Sequence, residues 1–118
     1  MTHEINIWLD DDRKAPQGYE HVTSAKTVLV ILSDKNYSVI NMSLDYNLYV
    51  DEPNGVDLLV EMVKRGLWSK NKPEVHTSCG AIGEFMVYII ENYFEKKVKD
   101  VTEDKLRLEY FQKGFRIK

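Results

Sequence analysis

The sequence has a single cysteine and no long apolar run, and both absences narrow the class of protein. Cys79 has no second cysteine with which to form a disulfide within the chain, so the core must be stable without that cross-link. No apolar stretch approaches the roughly 20 residues that span a bilayer. The opening residues MTHEIN also lack the basic and apolar regions of a secretory signal. Together these features predict a cytoplasmic protein without a membrane partner.

The composition indicates one globular domain over residues 1–118. Hydrophobic residues make up 43% of the chain and charged residues 30%, which suits a folded protein rather than a disordered one. The formal net charge of −3 is unevenly spread, since residues 1–60 carry 4 basic and 10 acidic side chains and residues 61–118 carry 12 and 9. The lysines near the end are typical of a solvated helix end. No nucleic-acid-reading motif is present, so we expect no sequence-specific DNA binding.

Short strand-like segments alternate with helical ones, which predicts an α/β fold built on an open parallel sheet with right-handed crossovers. The C-terminal extension from about residue 101 is ambiguous, because its apolar residues alternate like a strand while Thr102 could cap a helix that ends before Gly114. We favour the helix. The predicted strands are Ile5–Leu9, Tyr19–Val22, Tyr37–Leu44 and Pro73–His76, and the predicted helices run from Thr23 or Ser24 to near Lys35, from Val56 to Gly66, and from Ile82 to Tyr93.

Polar side chains follow three of the predicted strands where each strand ends. Asp10 and Asp11 follow the first strand, Asp45 follows the third, and His76 ends the fourth. Because the carboxyl ends of parallel strands lie at one edge of a sheet, we expect these residues to converge. Crowded carboxylates repel one another unless a cation neutralises them, and oxygen ligands suit Mg²⁺. The sequence therefore predicts a divalent metal site at Asp10, Asp11 and Asp45.

Groups that bind and process a phosphate lie near the same edge. The Arg13 guanidinium has a planar fork of donors that fits phosphate oxygens. His76 can carry a proton near neutral pH and would act as an acid or base. The hydroxyls of Thr77 and Ser78, with the backbone N–H groups that open a helix at Gly80, would form an anion cradle. These residue types at these positions predict phosphate chemistry.

Simpler interpretations of the same residues remain open. Consecutive aspartates after a strand often only solvate a turn, and Asp12 is expected to point to solvent. A single histidine at a strand end is frequently a structural residue. The third aspartate, Asp45, favours the site interpretation, because it ends a separate strand.

Three motifs resemble the cyclic-phosphate processing receiver-like domain family, a variant of the response-regulator receiver. They are LDDxRxxPxG at residues 9–18, LDxxL at residues 44–48 and VHTSCGAIGEFM at residues 75–86. The resemblance implies a three-layer, flavodoxin-like open parallel sheet with helices on both faces. It also implies Mg²⁺, or Mn²⁺, at Asp10, Asp11 and Asp45, and a His76 that acts in catalysis or contacts phosphate. Asn47 stands where the family usually has an aspartate, and its neutral amide can bind oxygen or metal but cannot act as a base.

The first hypothesis is a metal-dependent phosphoesterase that processes a cyclic phosphate, either the 2′,3′-cyclic end of an RNA or a cyclic nucleotide. Its catalytic residues would be His76 and Asp11. The residues that contact phosphate or substrate would be Arg13, Asn47, Thr77, Ser78 and Gly80. Two other classes remain open: a non-catalytic protein that binds a nucleotide or phosphate ligand, which Asn47 favours, and a receiver-type regulator phosphorylated on Asp45. The sequence shows no clear fifth strand followed by the lysine that a phosphotransfer receiver would need.

Overall fold

The computed structural model of the protein describes residues 2–48, 53–78 and 80–114, so Cys79 and part of the turn that precedes Gly55 lie outside the described residues. Strands and helices alternate along most of the chain. They are β1 (His3–Leu9), β2 (Glu20–Val22), α1 (Ala25–Ser33), β3 (Tyr37–Leu44), α2 (Gly55–Arg65), β4 (Glu74–Val75), α3 (Gly80–Tyr93) and α4 (Glu103–Gln112).

The four strands form one parallel sheet in the order β2-β1-β3-β4. This arrangement confirms the predicted open parallel sheet of a receiver-like α/β fold. The predicted helices are also present, and local signals fix their ends. Ser24 caps α1, Asn54 and Asp57 form a capping box at α2, and Gly66 ends α2 in a left-handed conformation. Among the described residues, no helix is long and apolar enough to cross a membrane.

The helices pack together on one face of the sheet. The β2–α1–β3 and β3–α2–β4 connections advance across the sheet in the same direction, so right-handed crossovers put α1 and α2 on the same side. Helix α2 contacts α1 and α3, and α4 contacts both α2 and α3. The strands bury their alternate apolar side chains against this layer, among them Ile7, Leu9, Met42 and Leu44.

The other face of the sheet is polar and is covered by the loop of residues 10–19. Asn6 Nδ2 donates to the carbonyl of Gly18 at 3.1 Å, and Trp8 Nε1 donates to the carbonyl of Arg13 at 3.2 Å. Asn41 continues the polar row, since its Nδ2 donates to Asn6 Oδ1 at 3.0 Å. The prediction of helices on both faces therefore differs from the structure in the described part of the chain. The β1–β2 connection, which contains Pro16 and Gly18, covers this face as a loop instead of a helix.

Helix α4 is held to α3 by a carboxylate that two tyrosines share. The hydroxyls of Tyr88 and Tyr93 both donate to Glu109, the latter at 3.0 Å. Tyr110 is 2% exposed and its ring contacts the rings of Phe85 and Tyr88. Within the described residues, the C-terminal extension thus forms a helix packed on the core, capped by Thr102 as predicted. Burial and the hydrogen bond to Glu109 raise the pKa of Tyr93 to about 12, and the same causes raise the pKa of Tyr88.

We expect Glu109→Ala to lower the free energy of unfolding by about 2 kcal/mol near neutral pH, because two part-buried hydroxyls lose a charged acceptor. The pKa of Tyr93 is about 12 in the folded protein against 10.0 for an ordinary tyrosine, so the unfolded chain releases this proton first. The stabilisation is therefore complete below about pH 10 and is lost as the pH rises toward 12. Urea unfolding across this pH interval should show the effect of the substitution shrinking.

Glu103→Ala is the matched control, since Glu103 lies on the same helix and pairs with Arg107 instead of a tyrosine. Its smaller effect should stay constant from about pH 8 to 12. A loss in Glu109→Ala that is equally constant across this interval would contradict the proposed coupling to the tyrosines.

Candidate active site at the carboxyl edge of the sheet

Three strand ends bring Asp10, Asp45 and His76 together. The Asp45 N–H donates to the carbonyl of Leu9 at 3.0 Å, and the His76 N–H donates to the carbonyl of Leu44 at 2.9 Å. These bonds extend the strand pairing by one residue and fix the three positions side by side. One ligand atom from each of Asp10, Asp45 and His76 lies within 4.8 Å of the others. The convergence predicted for these three residues is therefore present.

Asp10 is the most enclosed carboxylate of the cluster, with 1% of its surface exposed. Its Oδ1 accepts the backbone N–H groups of Asp12 and Arg13, both at 2.8 Å. Burial raises the pKa of Asp10, but these two hydrogen bonds and the contact with His76 together lower it below the usual value. Asp10 is consequently ionised near neutral pH and can only accept hydrogen bonds.

The imidazole of His76 is held on three sides. Its Nε2 lies 3.0 Å from Asp10 Oδ2, and its Nδ1 lies 2.7 Å from Ser43 Oγ. The Trp8 ring stacks on the imidazole with 3.7 Å between centroids and an angle of 5° between planes. Because the Asp10 carboxylate can only accept, the proton of this pair sits on Nε2. Asp10, Ser43 and Trp8 thus fix both the orientation of His76 and the position of its proton.

Trp8 and Ser43 are site residues that the sequence analysis missed. Side chains alternate along a strand, so Trp8 lies on the same face as Asp10, and Ser43 on the same face as Asp45. Trp8 pairs with Ser43 in the register of β1 and β3. That alternation was a usable signal in the sequence. The contacts of Trp8 and Ser43 with His76 could not be predicted in this way, because His76 follows a different strand.

The charged residues of the loop after β1 differ in burial and in distance from the cluster. Arg13 is exposed, and its NH1 donates to the carbonyl of His76 at 3.2 Å, so its guanidinium lies beside the cluster. Asp11 is half-buried and does not belong to the group formed by Asp10, Asp45 and His76. Asp12 is exposed, as expected. The geometry therefore supports Arg13 near the site and puts His76, rather than Asp11, next to the other two predicted ligands.

The residues predicted to contact phosphate lie around the start of α3. Gly80 is the first residue of the helix and is exposed, as are Ser78 and Asn47. Thr77 packs closely against α3, since a methyl group added to Gly83 would come within 2.8 Å of Thr77 Cγ2. The absence of a side chain at Gly83 thus lets the helix approach the end of β4. Phosphate contacts for Asn47, Thr77, Ser78 and Gly80 stay predictions.

The donor atoms of the cluster suit a divalent cation. Two carboxylates and an imidazole are ligands that Mn²⁺ accepts, whereas Mg²⁺ prefers oxygen donors alone. Asp10 and Asp45 supply those oxygens with or without His76. The residues present therefore fit Mg²⁺ or Mn²⁺ held by the two aspartates, which leaves the proton of His76 on Nε2.

Comparison with known proteins gives one match. The family model described as cyclic-phosphate processing receiver domain matches residues 5–92, a range that contains Asp10, Asp45 and His76. Searches among curated proteins and among solved structures gave no significant match.

Proposed function

The chain belongs to the cyclic-phosphate processing receiver domain family, and on this premise we propose that it hydrolyses a cyclic phosphate, either the 2′,3′-cyclic end of an RNA or a cyclic nucleotide. The observation that carries the proposal is the arrangement of His76 between Asp10 and Ser43 at the edge of the sheet. A histidine whose two ring nitrogens are both fixed by partners is typical of acid–base catalysis.

His76 would act as the general acid. With both nitrogens protonated, its Nδ1–H donates to Ser43 Oγ, and its Nε2–H, held by Asp10 in the free protein, faces the leaving oxygen when substrate displaces that contact. Water adds to phosphorus, one of the two ring P–O bonds breaks, and the proton from Nε2 goes to the departing sugar oxygen. The product is a phosphate monoester, and the water proton released restores the imidazolium.

The other residues would hold the phosphate and its charge. Arg13 would bind two phosphate oxygens with its fork of donors, and Thr77, Ser78 and the N–H groups at the start of α3 would bind others. Asp10 and Asp45 would hold Mg²⁺ or Mn²⁺, which supplies neutralisation of the phosphate charge when bound. Asp11 would contribute as a further ligand or catalytic group on the adjoining loop.

We expect Mg²⁺ or Mn²⁺ to raise the melting temperature of the protein, because a ligand that binds only the folded state stabilises it by mass action. At 100 times the dissociation constant the gain is about 2.7 kcal/mol, which corresponds to roughly 10 °C for a domain of this size. Asp45→Asn should abolish the shift, since it removes a charged ligand yet keeps the Oδ1 that accepts the N–H of Tyr46.

Asp12→Asn is the control for this measurement, because Asp12 is an exposed neighbour in the same loop as Asp10. It should keep the full shift, and Asp11→Asn tests the predicted third ligand. The same melting-temperature shift in wild type, Asp45→Asn and Asp10→Asn would remove the metal site from the proposal.

Binding without turnover is the second candidate function, and Asn47 is the residue that favours it, since an amide cannot act as a base. Mass spectrometry of cyclic nucleotides and cyclic-phosphate-ended RNA after incubation with the protein, with and without Mg²⁺, separates the two functions. Hydrolysed product supports the enzyme, and bound but unchanged ligand supports the binding protein.

Acetyl phosphate with Mg²⁺ tests the third function, a regulator phosphorylated on Asp45. A labile phosphoryl adduct that is lost in Asp45→Asn would be diagnostic of it.

A further inference from the structure

A groove of about 610 Å³ runs beside the edge strand β4 and along α3. Its lining includes Thr77 and Gly80 at one end and Glu91 toward the other. Gly80, Glu84, Val87 and Glu91 share one face of α3, because they follow one another at spacings of four, three and four residues. A volume of this size is in the range of sites for small organic ligands.

One end of the groove, at Thr77, lies one residue along the chain from His76 of the candidate active site. Thr77 follows His76 directly in the chain, and Thr77 and Gly80 are both among the residues proposed to hold phosphate. A phosphate bound there would therefore leave the rest of its molecule at the mouth of the groove. The start of α3 also carries the positive end of the helix dipole, so the anionic group belongs at this end.

The middle of the groove presents apolar surface. Val75 on β4 and Val87 on α3 both line it, and Val87 is 44% exposed. An exposed valine beside a concave surface gains by contact with a flat apolar ring, since burial removes its side chain from water. Apolar surface for a base therefore lies within about two helical turns of the proposed phosphate position at Gly80.

Two carboxylates line the groove, Glu84 one turn after Gly80 and Glu91 about two turns further along α3. Glu91 Oε2 binds Lys72 Nζ at 2.9 Å, whereas Glu84 is exposed. A carboxylate accepts two adjacent N–H groups side by side. Guanine offers such a pair on its N1 and exocyclic N2, and uracil has no second donor next to its single N–H. Negative charge also disfavours a phosphate at this position.

We propose that this groove binds the nucleoside part of the cyclic phosphate, with Glu84 accepting the paired N–H groups of guanine. This inference rests on the proposed function, and it names the ligand as a guanosine 2′,3′-cyclic phosphate or an RNA end that carries guanosine.

The test measures three dissociation constants in the presence of Mg²⁺ by stopped-flow tryptophan fluorescence, which separates binding from any turnover. The ligands are guanosine 2′,3′-cyclic phosphate, uridine 2′,3′-cyclic phosphate and methyl riboside 2′,3′-cyclic phosphate, which has no base. We expect the guanosine compound to bind about tenfold more tightly than the uridine compound, and more tightly still than the baseless one. A tenfold difference in affinity is about what one bidentate hydrogen-bonded contact contributes.

Glu84→Gln should remove the guanosine preference, while Glu95→Gln, an exposed glutamate outside the groove lining, should keep it. Val87→Glu should reduce the affinity for the guanosine compound to the affinity for the methyl riboside compound, which has no base. Its matched control is Val30→Glu, at a valine 64% exposed on α1.

Each outcome of these titrations separates the two proposals. Equal affinity of the wild type for all three ligands would overturn the groove inference and leave the proposed function intact. Absence of binding by all three would overturn both. Sedimentation adds a third outcome, because a dimer that Val87→Glu dissociates would assign the groove to a second copy of the chain and overturn the inference.

Discussion

Replacing His76 with alanine should lower the turnover of a 2′,3′-cyclic phosphate by roughly 10²- to 10⁴-fold, the usual scale of general acid–base catalysis. The imidazole is 12% exposed and placed by Asp10, Ser43 and Trp8, so its loss removes the proton donor. Affinity should fall less than rate, because Arg13 and the phosphate-binding residues at the start of α3 remain. Single-turnover rates and dissociation constants on the same ligand measure the two effects separately.

Ser43→Ala is the companion variant to His76→Ala. Ser43 touches the imidazole at Nδ1 and is itself 5% exposed, so it acts on the reaction through His76. We expect it to lower kcat about tenfold with little change in KM. Ligand binding by the wild type without product would contradict the enzyme, and full activity in His76→Ala would contradict the role given to this histidine.

Gly55→Ala should be the most destabilising of the conservative changes considered, with a loss of about 3 kcal/mol in the free energy of unfolding. A methyl group at Gly55 would lie 2.3 Å from the carbonyl oxygen of Asp45 and 2.6 Å from Met86 Cε. This oxygen belongs to the backbone of Asp45, a residue of the candidate site, so it cannot move aside as a flexible side chain would. The clash exceeds the gain of up to about 1 kcal/mol that alanine brings to a helix.

Gly80→Ala is the matched control, because Gly80 also begins a helix but an added methyl group would meet nothing within 4 Å. Its stability should be unchanged or raised slightly. Denaturant unfolding of both variants compares them directly, and a metal titration of Gly55→Ala would show whether displacement of Asp45 also weakens the cation site. Equal stability of the two variants would contradict the close approach of α2 to β3.

Much of the fold could be predicted from local patterns. The alternation in residues 37–44 predicts a strand, and β3 has those same bounds. Ser24, Gly66 and Thr102 mark the ends of helices as predicted, because capping depends on the side chain and backbone of a few neighbouring residues. The meeting of Asp10, Asp45 and His76 was also predictable, because parallel strands end at one edge.

The structure differs from prediction where the outcome depends on contacts between distant segments. Asp11 follows Asp10 in sequence, yet the group within 4.8 Å consists of Asp10, Asp45 and His76, because neighbouring residues after a strand take different directions. The helices lie on one face because the β1–β2 connection is a loop, which binds the polar face through Asn6 and Trp8. Neither outcome follows from the local pattern alone.

By itself, therefore, the sequence determined the order of the elements, the parallel sheet, the family and the set of acidic residues at its edge, because periodicity, caps and motifs are local properties. Tertiary structure alone decided that Trp8 stacks on His76, that Ser43 binds its Nδ1, and that a groove opens beside β4 from Thr77. These contacts join residues from β1, β3, β4 and α3. Their distances depend on strand register and helix packing, which are set by the whole core and not by any one segment.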